Sequence, residues 1–78
     1  MSLASVIWNW QEGERLYSRL TTNVGRDKLI ARLRAIGLLE SVVSIHAYFG
    51  DRAQGGNGYE ILWKEPMRLE DLRPLVKF

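Results

Sequence analysis

The chain contains no cysteine. Disulfides cannot staple it and thiolate metal sites are excluded, a composition that suits a reducing compartment. His46 is its single histidine, so a metal site built on a pair of imidazoles is excluded too. No apolar run approaches the ~20 residues that span a bilayer. Residues 1–10 carry no Lys or Arg ahead of their apolar side chains, unlike a secretory signal. A cytoplasmic location is therefore expected. An excess of one charge is also lacking, since 11 Lys and Arg against 9 Asp and Glu leave a formal charge of +2. The isoelectric point near 9.3 exaggerates that imbalance, because small differences move it far in a small protein. The charge permits a nucleic-acid partner without demanding one.

What is present is enough for one domain over residues 1–78. Apolar residues make up 46% of the chain, which supports a core rather than disorder. A chain this short buries a modest fraction of its surface, so its stability margin is narrow. The short core also leaves room for a homodimer.

Residues 2–10 hold Leu3, Val6, Ile7, Trp8 and Trp10. Adjacent Val and Ile with two Trp favour a strand, whereas Leu3, Val6, Ile7 and Trp10 fit a helical stripe. The stripe tips the expectation to a short helix, with Asn9 placed to cap the next segment. Residues 11–22 read as a second helix, with Leu16 and Leu20 on one face and Tyr17 beside them. Gly13 costs helix propensity and marks where this helix begins. Thr21, Thr22, Asn23 and Gly25 are turn formers.

Residues 26–36 carry the clearest helical pattern. Leu29, Ile30, Leu33 and Ile36 make one apolar stripe, and Asp27 suits the positive helix end. Gly37 stands where a left-handed C-cap belongs. Residues 42–49 read as a strand, with Val43, Ile45, Ala47 and Phe49 on one face and Val42, Ser44, His46 and Tyr48 on the other. Residues 50–58, GDRAQGGNG, read as a loop. Residues 59–64 form the partner strand with Tyr59, Ile61 and Trp63 alternating. Pro66 stops that strand. Residues 67–73 suit a short helix with Leu69 and Leu72 inward, ended by Pro74.

Three groups of residues bear on function. Arg26, Lys28, Arg32 and Arg34 avoid the apolar stripe of the third helix. Lys28 and Arg32, four apart, share one strip. Cations so placed can neutralise phosphates and read guanine edges from a major groove. The plainer account is solvation of an amphipathic helix. Glycines at 55, 56 and 58 resemble a phosphate cradle in composition, but GGNG lacks the spacing and the following Lys of a P-loop. The tryptophans, three in number, are many for this length. Any of them left exposed marks a protein-binding patch, with Trp8, Trp10 and Tyr48 as its contacts. Catalysis has little to stand on. His46 sits mid-strand with Glu60 or Lys64 across from it, a place where a lone histidine is usually solvated or structural. Glu70 and Asp71 point about 100° apart on a helix and need not act together. No cofactor is called for.

The run ERLYSRLTTNVGRDKLIARLRAIGLLES resembles winged helix-turn-helix DNA-binding domains. Leu33, Gly37 and Leu38 hold the place of their Leu-x-x-x-Gly-Leu signature, and NGYEILW resembles the return strand of a wing. The resemblance spans residues 14–63. It implies an α+β fold of two to three helices, a β-hairpin with a glycine-rich loop, and a short C-terminal helix or tail. It implies phosphate and base contacts from Arg26, Lys28, Arg32 and Arg34, and a wing contact from Arg52. The order helix, strand, glycine loop, strand, with the tail RLEDLRPLVKF, also resembles ferredoxin-like proteins such as the small CRISPR-associated ones. The expectation is a non-catalytic macromolecule-binding domain. Duplex DNA leads as partner, gripped by the helix 26–36 and the loop 50–58. The alternative is a regulator or adaptor that binds protein through an aromatic patch.

Overall fold

The chain opens with a hairpin. β1 (Val6–Glu12) and β2 (Arg15–Thr21) pair antiparallel from Val6↔Thr21 to Glu12↔Arg15. Gly13 takes φ +62°, the backbone that a glycine-first two-residue turn requires, and this turn twists with the strands it joins. The computed structural model describes residues 6–50 and 56–75. In it the described part of the helix expected over residues 2–10, and the helix expected over residues 11–22, are these two strands and their turn; residues 2–5 lie outside the described residues. The reason lies in β2. Leu16, Ser18 and Leu20 face one way and Tyr17, Arg19 and Thr21 the other, a period of two. A buried polar residue, Ser18, hides that period from a hydrophobic pattern. Asn9 accordingly caps no helix. It lies mid-strand.

α1 (Arg26–Ala35) follows the expected stripe, with Leu29 and Leu33 buried. Its end is a Schellman turn. The Leu38 amide donates to the Leu33 carbonyl at 2.9 Å and the Gly37 amide to Arg34 at 3.1 Å, with Gly37 at φ +79°. Residues Leu39–Ser41 form a short 3₁₀ turn. β3 (Val42–Tyr48) and β4 (Gly58–Trp63) then pair antiparallel. A bulge between Val42 and Ser44 shifts the face of the first residues. Val42 turns inward with Ile45, and Val43, which simple alternation puts on the Ile45 face, is 54% exposed. Phe49 falls beyond the strand and is 85% exposed. α2 (Leu69–Leu72) is a single turn that buries Leu72. Leu69, expected inside, points to solvent.

The sheet has four strands in the order β1-β2-β4-β3. β2 and β3 run in the same direction with β4 antiparallel between them, so β2, α1 and β3 form a split β-α-β unit. The fold is α+β, as expected, but the sheet dominates it. Among the described residues no helix precedes α1.

One face of the sheet carries the core. Leu20, Tyr59, Ile61, Trp63 and Ile45 meet Leu29 and Leu33 of α1 and Leu72 and Leu75 of the C-terminal segment. A polar chain runs through this layer. The Trp63 indole N–H donates to Ser18 Oγ at 2.7 Å. The Ser18 hydroxyl donates to Asn9 Oδ1, and Asn9 Nδ2 donates to the Met67 carbonyl at 2.7 Å. It joins β4, β2, β1 and the C-terminal segment through groups that water cannot reach at Ser18. The Tyr59 hydroxyl similarly fastens the β2–α1 connection by donating to the Val24 carbonyl at 2.7 Å.

Candidate functional site

The second face of the sheet is covered by no described element. Strand alternation and register place its side chains in rows across the strands. One row is Trp10, Tyr17, Leu62 and Ser44. The next is Trp8, Arg19, Glu60 and His46. Thr21, Gly58 and Tyr48 form the third. Glu12 and Arg15 close the hairpin end.

The first row is mostly apolar, and its two aromatic rings stack. The Trp10 and Tyr17 rings lie 5.1 Å apart at 16°, an offset-stack separation worth about 1 kcal/mol beyond area burial. Trp10 is 38% exposed and Trp8 65%. The second row is charged in both signs. Arg19 Nε stands 3.6 Å from Glu60 Oε1, and its guanidinium carbon sits 3.9 Å from the Tyr48 ring centroid. That cation–π contact holds the cation against the Tyr48 ring. The Tyr48 hydroxyl donates in turn to the Leu20 carbonyl at 3.3 Å. His46 is exposed beside Glu60 at the end of this row.

The sequence-derived interface residues Trp8, Trp10 and Tyr48 thus share one face. Tyr17, Arg19 and Leu62 belong with them and were missed. The signal was the alternation of Tyr17, Arg19 and Thr21, which a helical reading of residues 11–22 disperses.

The cations expected to contact DNA are not gathered in the same way. Arg26 donates to the Ile45 carbonyl at 3.2 Å, a group on the outer edge of β3. Arg32 donates through Nε and Nη2 to the Pro74 carbonyl at 3.4 and 3.3 Å, tying α1 to the C-terminal segment. Lys28 and Arg34 are exposed. The strip expected from Lys28 and Arg32 is divided, because Arg32 is half-buried and turned onto the chain. Arg52 lies outside the described residues, as does most of the expected loop 50–58.

No helix among the described residues is long and apolar enough to cross a membrane. The fold and face together define a small α+β domain whose antiparallel sheet is covered on one face among the described residues. No protein-family model matches the chain, and no curated protein or solved structure matches it.

Proposed function

We propose that this chain is a non-catalytic binding domain whose working surface is the sheet face that no described element covers, and that its partner is a protein. The observation that carries this reading is the stacked Trp10–Tyr17 row, exposed beside a row of both charge signs. An apolar patch rimmed by Arg15, Arg19, Glu12 and Glu60 has the make-up of a protein interface core and rim. Trp, Tyr and Arg are the residues that dominate binding energy in such patches. A partner that suits it offers apolar side chains to Trp10, Tyr17 and Leu62, and a charged group to the Arg19–Glu60 row. The split β-α-β unit agrees with the ferredoxin-like alternative rather than with a helix pair.

The duplex-DNA reading draws on fewer side chains. Of the four helix cations, Arg26, although exposed, and the half-buried Arg32 already bond main-chain carbonyls, which leaves Lys28 and Arg34 as the exposed cations not held in this way. Affinity for phosphates grows with the number of cations that reach them.

The test compares three forms of the immobilised chain: wild type, Trp10→Ala, and Lys28→Ala with Arg34→Ala. Each is offered soluble protein from cells of the source organism, and each is titrated with random duplex DNA from low to physiological salt. Circular dichroism checks that each form is folded. The proposal expects a protein retained by the wild type and by the Lys28/Arg34 variant but lost by Trp10→Ala. Duplex binding that falls steeply with salt, vanishes in the Lys28/Arg34 variant and survives Trp10→Ala would overturn it in favour of DNA.

A further inference from the structure

The two edges of the sheet are built differently. β3 is interrupted by its bulge, and the Arg26 guanidinium covers the outward Ile45 carbonyl. Both are devices that stop a strand from pairing with another chain. β1 has neither. It is a regular seven-residue strand without proline, and no residue from Val6 to Gln11 is charged. Among the described residues no strand lies beyond it.

Hydrogen-bond parity says which groups of β1 are unspent. The Thr22 amide donates to Asn57 and the Lys64 amide to Ser41, which sets the alternation through β2 and β4. Leu16, Ser18 and Leu20 bond towards β4. Arg15, Tyr17 and Arg19 therefore bond towards β1, to Glu12, Trp10 and Trp8. In an antiparallel ladder the residues between these point their main-chain groups the other way. Ile7, Asn9 and Gln11 thus direct N–H and C=O out of the sheet edge.

We propose that β1 pairs antiparallel with β1 of a second copy of this chain, about a two-fold axis at Asn9. This register overlaps the full length of both strands. Asn9 faces Asn9 of the second copy, and Ile7 faces Gln11 of the second copy. All three outward residues on each side are then hydrogen-bonded, with roughly six main-chain bonds in all. Trp8 falls opposite Trp10 of the second copy in a non-bonded pair, where side chains are closest, at a Cα separation of about 4.5 Å. The segment Trp8-Asn9-Trp10 is its own complement under the two-fold, as an isologous contact requires. Its uncharged course places no like charges opposite each other. The exposure of Trp8 is then accounted for, because it is the cross-strand partner of a tryptophan in the other copy. The two open faces merge into one eight-stranded surface. This inference uses the edge and does not rest on the protein-partner reading of the face.

Edge pairing buries less than the roughly 1,600 Å² of a standard interface, so the dimer is concentration-dependent. Sedimentation equilibrium of the wild type, from micromolar to millimolar protein, should show the mass rise from 9.0 kDa to twice that value. Amide exchange read over the same range should slow at Ile7, Asn9 and Gln11 only in the concentrated sample. Gln11→Pro removes an outward N–H at an edge position that tolerates proline, and Trp8→Ala removes the cross-strand contact. Each should weaken the dimer at least tenfold while circular dichroism stays unchanged. Oxidation should cross-link Asn9→Cys with itself, since bonded antiparallel pairs lie about 5.5 Å apart at Cα. It should not cross-link Ile7→Cys. A monomer at every concentration overturns the proposal, as does a dimer indifferent to both Gln11→Pro and Trp8→Ala. Cross-linking by Ile7→Cys in place of Asn9→Cys overturns the register.

Discussion

Replacing Ser18 by alanine removes one oxygen atom from the middle of the sheet. Ser18 is 0% and Trp63 3% exposed, and the Trp63 indole N–H has Ser18 Oγ as its acceptor at 2.7 Å. In the variant that N–H is buried with no partner. An orphaned buried donor costs about 1–3 kcal/mol, and the Asn9 amide loses one of its contacts as well. The void left is smaller than a methyl group, so the polar term dominates. The expected loss is about 2 kcal/mol, which lowers the melting temperature of a domain this size by roughly 8–16 °C. Urea unfolding followed by circular dichroism measures it. Trp63→Phe, which deletes the donor, supplies the control. The Ser18→Ala/Trp63→Phe double variant should lose less than the sum of the two single variants, because the unsatisfied group is gone. A Ser18→Ala protein within about 0.5 kcal/mol of wild type, the range of ordinary surface substitutions, refutes this account of the polar chain.

Gly58→Ala should be severely destabilising. A Cβ there overlaps the Leu20 carbonyl oxygen and lies 2.7 Å from the Tyr48 hydroxyl, so β2 and β4 must part. A loss of about 2–3 kcal/mol by thermal melting is expected, and an unaltered melting temperature would show that the strands have room. Arg32→Met keeps the length of the side chain but removes its donors to the Pro74 carbonyl. It should cost about 1 kcal/mol and speed amide exchange in residues 69–75 ahead of the rest of the chain. Exchange rates there that match wild type would deny the tie between α1 and the C-terminal segment.

The placement of the cations changes how the helix is understood. A stretch that supplies Arg26, Lys28, Arg32 and Arg34 resembles a phosphate-binding helix when drawn as a wheel. In the fold, Arg26 protects a sheet edge and Arg32 anchors the C-terminal segment. Both roles need a long side chain with fixed donors rather than a positive field, and such stapling is a use to which Arg is well suited. The open face shows the reverse. Tyr17 and Arg19 carry no motif, yet cross-strand register sets Tyr17 against Trp10 and Arg19 against Glu60, from where Arg19 reaches the Tyr48 ring.

Where hydrophobic period and local chemistry agree, the elements were readable. α1 was legible from Leu29, Leu33 and the Gly37 cap, and β4 from the alternation of Tyr59, Ile61 and Trp63. Pro66 marked the end of that strand. The N-terminal half misled because Leu16 and Leu20 are four apart, a spacing shared by a helix and by alternate residues of a strand. Ser18, the residue between them that decides the matter, is polar. Its burial makes sense only once Trp63, 45 positions away, brings it a donor. The bulge at Val42–Ser44 and the exposure of Leu69 likewise follow from what packs against them.

Sequence alone determined the α+β composition, the position of α1 and the lack of thiol or paired-imidazole chemistry, because helix caps, strand alternation and residue inventory are local or compositional properties. Tertiary structure alone decided that residues 6–21 form a hairpin, that two of the four helix cations are fastened to the chain, and that Trp8, Trp10, Tyr17, Arg19 and Tyr48 share an open face. Those outcomes depend on which strands become neighbours. Neighbours in a sheet are chosen by the burial of the whole core, a quantity that no short window of sequence contains.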